Sequence, residues 1–208
     1  MAVEAAPNFS LWQRGLIFFR HLIPLSIVLV LGHSAGHFLL LTVFNLALTM
    51  STLAVVGVAV SMRGKYISTM DQIAGLTTLL AVGLGVTLLL TALFGWVVAV
   101  LIDATEGSLM NPELIGSAAL MLVCNVPHAW RQYQDGVKNP MSEVAAQQRD
   151  RPLIFAHLFS AGLVFMLAPY AFEFGRIGLL ILACLLTGVF VFRDLRPDLI
   201  RRLAPGGV

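Results

Sequence analysis

Between Leu22 and Met62 the chain runs 41 residues without an Asp, Glu, Lys or Arg. A helix crosses the hydrocarbon of a bilayer in about 20 residues, so this stretch is too long for one crossing and suits two in a hairpin. The small residues of Gly32-His33-Ser34-Ala35-Gly36 mark the break, because glycine loosens a helix. The rest of the chain is of the same kind. Hydrophobic residues make up 58% and charged ones 12%, about half the charge of an average soluble domain. That balance excludes a cytosolic globule, a nucleic-acid binder and a disordered chain, and leaves an integral membrane protein.

Apolar runs and their punctuation predict an all-α bundle of six transmembrane helices over about 15–32, 35–62, 73–102, 112–129, 153–171 and 177–192. Pro112 and Pro152 suit first helical turns. On this reading Arg20 lies near one membrane face and extends its guanidinium to the headgroups. A cytoplasmic loop at 130–152 and a basic tail at 193–208 complete a single transmembrane domain over 1–208. The N-terminal residues carry no pattern of a cleavable signal peptide.

The positive-inside rule tests this count. With both termini cytoplasmic, twelve of the thirteen Lys and Arg residues fall on the cytoplasmic side, and only Arg176 falls outside. The segment after the third span carries Asp103, Glu106 and Glu113 without a cation. The expected location is a bacterial inner membrane. Trp130 and Tyr133 read as interface anchors. The two cysteines, Cys124 and Cys184, sit in apolar runs without CxxC spacing, which argues for core packing and against a disulfide framework or zinc site.

Polar groups within a bilayer are costly, so each is a candidate for function. His33 and His37 have the i, i+4 spacing that lets two imidazoles bind one metal ion, with Asp103, Glu106 or Glu113 as further ligands. The bland alternative is a pair of interfacial histidines bonded to backbone or water. His128 and His157, predicted at one depth on consecutive spans, could ligate a haem iron, or act as separate capping groups. Asn45, Ser117 and Asn125 read as structural polar residues, Asn45 in an interhelical bond near the bilayer centre.

Two enzyme likenesses fail on their residues. His33-Ser34-Ala35-Gly36-His37-Phe38 with Asn45 is similar to the second helix of rhomboid proteases. Ser117 nevertheless lacks the GxSG surround, because residue 115 is Ile and residue 118 is Ala. Ser34-Ala35-Gly36-His37 is similar to one block of membrane phosphatidate phosphatases, whose other motifs are absent. A better likeness runs along most of the chain. Leu22-Ile23-Pro24-Leu25, Gly32 with a long second span, Pro127-His128, Ala156-His157-Leu158 and Arg193-Asp194-Leu195 together resemble a family of bacterial polytopic membrane proteins with no established activity. The resemblance implies the six-helix fold and adds no function. That family carries acidic residues in its second helix where this chain has His37 and Asn45.

With no formal charge expected at the membrane core and no cofactor motif, the sequence points away from catalysis. It reads first as an accessory or scaffolding subunit of a larger membrane complex, with the lipid bilayer, other membrane subunits or a second copy as partners. A small metal- or haem-binding redox protein is the second reading. A transporter or channel for a small solute, lined by Asn45, Asn125, Thr87 and Thr91, is the third.

Overall fold

The computed structural model describes residues 10–32, 34–62, 69–102, 111–138, 143–167, 169–170 and 175–203. The described residues form seven helices and no strand: α1 (Leu11–Leu29), α2 (Ala35–Met62), α3 (Thr69–Ile102), α4 (Pro112–Lys138), α5 (Glu143–Leu167), α6 (Gly175–Leu195) and α7 (Pro197–Leu203). Among the described residues, three segments are long and apolar enough to cross a membrane, Ala35–Val60, Ile73–Trp96 and Gly175–Leu195.

Local chemistry sets the ends. Ser10 accepts the Gln13 backbone N–H at 3.2 Å and gives its own N–H to Gln13 Oε1 at 3.0 Å. This reciprocal capping box starts α1 four residues before the expected 15. The start matters, because it puts Arg20 nine residues from either end of α1, about 13 Å along the axis from each. Asn111 Oδ1 accepts the Glu113 N–H at 2.9 Å and opens α4, with Pro112 at the first position. At the other end α4 runs on to Lys138, and α5 begins at Glu143. The polar stretch 130–152, expected as a loop, is therefore helical apart from 139–142, which lie outside the described residues. Polar residues with good helix propensity, four Gln among them, extend a helix beyond its apolar part at little cost.

α2 is the hub, touching α1, α3, α4 and α5, while α1 also packs on α4 and α6. Its apolar segment is 61% buried, against 12% for that of α3. Residue pairs give the directions. Leu40 meets Gly95 and Val55 meets Gly83, so α3 runs against α2; Val60 meets Gly136 and Thr52 meets Asn125, so α4 runs with it. Gln13 with Arg131 and Arg20 with Asn125 set α1 against α4.

The α1–α2 pair separates two apolar clusters. One joins Leu25 and Val28 of α1 and Phe38, Leu39 and Val43 of α2 to Val164 of α5 and Leu179, Ala183, Leu186 and Phe190 of α6. The other joins Ile23 and Ile27 of α1 and Leu41, Phe44 and Leu48 of α2 to Leu114 and Met121 of α4. Most of this packing lies toward the end of the bundle where α1 finishes and α2 begins.

α3 approaches α2 through glycine. A Cβ on Gly83 would collide with a Val55 methyl, and a β-branched valine has little rotamer freedom to retreat. Gly83→Leu should therefore cost about 1–3 kcal/mol by overpacking. Thermal melting in detergent should place it well below wild type, with Gly85→Leu, which meets open space, close to wild type.

Candidate functional site

Midway along α1 two adjacent polar side chains are buried in the bundle. Arg20 is 1% exposed and His21 3%. The expected extension of Arg20 to the headgroups is not what the structure shows. The capping box makes Arg20 the midpoint of its helix, and α6 delivers a carboxylate to it. Arg20 Nη2 donates to Asp194 Oδ2 at 2.5 Å, and Arg20 Nη1 donates to Asn125 Oδ1. A guanidinium this deep is tolerated only with its donors engaged.

Asp194 is the common acceptor. Its side chain is 6% exposed. Oδ2 also takes His21 Nε2–H at 2.8 Å, and Oδ1 takes Arg193 Nε–H at 2.8 Å. His157 Nε2 stands 4.0 Å from Oδ1, beyond hydrogen-bond reach. Arg193 extends to Ser160 Oγ at 3.0 Å and lies over the Phe190 ring at 5.3 Å.

Asparagines tie the remaining helices in. Asn45 Nδ2 donates to His21 Nδ1 at 2.9 Å, which with the Asp194 bond selects the neutral Nε2–H tautomer of His21. Asn125 Nδ2 donates to Thr52 Oγ1 at 2.6 Å. Side chains from α1, α2, α4, α5 and α6 therefore converge at one level. Asn45 and His157 both lie ten residues, about 15 Å, from the end of the bundle where α1 finishes.

The cluster is unbalanced in charge. Two guanidiniums share one carboxylate, and the histidines count as neutral. Arg20 Nε, Arg193 Nη2, His157 Nε2 and Asn45 Oδ1 are buried without a hydrogen-bond partner. On one side the two apolar clusters close over the site. On the other, a narrow cleft of ≈ 10 Å³ runs between α1 and α4. Gln13, Leu16, Ile17 and Arg20 form one wall, and Cys124, Pro127, His128 and Arg131 the other. Arg131 Nη1 bonds Gln13 Oε1 across the mouth.

The residues singled out from the sequence are distributed unevenly. Asn45, Asn125 and His157 belong to the cluster, and His128 lies on the cleft wall with its Nε2 accepting from Gln132 at 2.9 Å. His157 Nδ1 donates to the Leu153 carbonyl at 2.6 Å. His37 is buried beside Ser34, whose Oγ is 3.0 Å from His37 Nδ1, and His33 lies outside the described residues. Among the described residues no group of three His, Cys, Asp or Glu is arranged to hold a metal ion. Ser117 sits half-buried near the start of α4, away from the cluster. Thr87 and Thr91 back-bond to their own helix at 2.8 and 2.7 Å.

Arg20, His21, Arg193 and Asp194 are the site residues that sequence reading missed. All four were visible, but each was taken as a face or end marker, and the structure instead buries them together inside the helical bundle. The signal was Ser10-x-x-Gln13, which moves Arg20 from a margin to a midpoint.

No known protein family, curated protein or solved structure matches the chain.

Asp194→Asn would leave two buried guanidiniums without a counter-charge, and the expected loss is about 3–5 kcal/mol. Asn125→Leu removes a neutral acceptor from Arg20, with an expected loss of about 1–3 kcal/mol. Unfolding in detergent should rank them in that order. Equal, near-zero effects would mean that the cluster does not hold the helices together.

Proposed function

We propose that the chain is a six-span membrane protein with both termini cytoplasmic, and that it handles a small polar solute at the Arg20–Asp194 cluster. One observation carries the reading: a narrow cleft between α1 and α4, lined by Arg20, leads to the buried charged cluster. Intramembrane ionisable groups are rare and usually serve a pathway or a binding site. A purely structural staple has no need of an opening that ends on its arginine. The cleft mouth, at Gln13 and Arg131, faces the cytoplasm in the N-in orientation. That orientation is supported by the lysines and arginines expected on the same side. The transporter or channel expectation is thereby preferred over the scaffolding one, whose main premise was a core without charge.

An accessory-subunit role keeps one supporting observation. α3 shows a broad apolar face, with Leu80, Leu84, Leu88 and Trp96 exposed. In a membrane that face can meet lipid or a neighbouring subunit equally well.

Cys124 reports on the cleft, and Cys184 is the other cysteine of the chain. In a Cys184→Ala background, a membrane-impermeant thiol reagent should modify Cys124 in inside-out vesicles and leave it unmodified in right-side-out ones. Protection from both sides would identify a sealed structural cluster. Stoichiometric co-purification of other membrane proteins would then favour the subunit role.

A further inference from the structure

The cleft between α1 and α4 offers ≈ 10 Å³, room for about one water molecule. The cluster behind it is therefore closed in this structure, and a solute reaches it only if one wall moves. The two walls differ in how firmly they are held.

α4 is braced on both sides of the cleft level. Asn125 bonds Thr52 of α2 at 2.6 Å, and beyond Pro127 the same helix still packs on α2, where Gly136 meets Val60. The first half of α1 has less support. Over residues 11–19 a single side chain, Ile17, is buried, while Leu11, Trp12, Phe18 and Phe19 are exposed. Among the described residues, the polar tie from this half to another helix is Gln13 with Arg131. The second half is locked. Ile23, Pro24, Leu25, Ile27 and Val28 are buried, and Arg20 and His21 bond Asp194.

Pro24 stands where the locked half begins. It has no N–H, so the Arg20 carbonyl lacks the amide that would tie that turn, and the ring crowds the same carbonyl. Helix kinks concentrate at such a proline. The capping box of Ser10 and Gln13 holds the first half helical from its own end, so it can move as a rod. Phe18 and Phe19 already face outward, and a swing through lipid tails exchanges one apolar contact for another.

Resting on the reading of the cluster as a solute site, we propose that the first half of α1, residues 11–19, is its gate. The arm pivots over residues 20–24, is latched by Gln13 on Arg131, and on release uncovers the cluster between α1 and α4. Arg20 keeps its bonds to Asp194 and Asn125 through the motion, because it stands at the pivot.

Spin labels read this motion. In a Cys124→Ala, Cys184→Ala background in lipid nanodiscs, Trp12→Cys and Gln134→Cys place one pair at the latched end of the seam. Leu29→Cys and Ile115→Cys place a second pair at its sealed end. All four positions are exposed. Trp12 lies about 18 Å along the axis from Pro24, so a swing of about 20°, a sharp helix kink, carries it through about 6 Å. Double electron–electron resonance should show two distances at the first pair, separated by about 6 Å, and one at the second. Gln13→Glu keeps the capping box and gives Arg131 a charged acceptor. It should lower the longer population about fivefold. Pro24→Ala restores the missing amide and should merge the first pair into one distance. A single distance at the first pair of the unaltered arm, or two that ignore both variants, overturns the gate. If Cys124 is nevertheless modified in inside-out vesicles, the solute reading survives that loss and a different wall moves. Cys124 sealed from both sides overturns the solute reading, and the gate with it.

Discussion

A single carboxylate, Asp194, accepts from Arg20, His21 and Arg193 inside a bundle whose surroundings are Leu, Ile, Val and Phe. In so apolar a setting each of those donors is costly to bury alone, so the positions of α1 and α6 depend on this one acceptor. Asn45, Asn125 and Ser160 extend the dependence to α2, α4 and α5. Apolar packing between membrane helices is barely directional, because lipid tails are as apolar as leucine. Hydrogen bonds to a fixed carboxylate are directional, and they can specify which helix stands beside which.

The cluster also divides the molecule along its axis. Toward the end where α1 finishes, Phe38, Leu41, Phe44, Met121 and Leu186 fill the space between helices. Toward the other end Arg20 lines a narrow cleft in the α1–α4 seam. This asymmetry has a local origin. All the polar side chains of α1 except Ser26 come before Leu22, at Gln13, Arg14, Arg20 and His21. Position along one helix thus separates a sealed half from an accessible half.

Much of the helical framework was legible in the sequence. The uncharged run from Leu22 to Met62 divides at Gly32, whose φ of 68° suits glycine, and α2 begins at Ala35 as its pattern indicates. Pro112 behind Asn111 marks a helix start for the same local reason. The site was legible only in pieces. Asn45 reads as an interhelical residue because an amide in an apolar run has few other uses. Arg20 and Asp194 read as margins, since nothing between two residues 174 positions apart says that they touch.

Composition and spacing were enough to determine that the chain is helical, where most helices begin, and that its polar residues are few. These follow from forces acting over one or two turns: hydrophobic length, capping and backbone preference. The tertiary structure alone decided that Arg20 turns inward, that Arg193 and Asp194 close a cluster with it, and that His128 borders a cleft. A charge at a helix midpoint can be paid for only by a partner on another helix, and that pairing depends on how five helices meet.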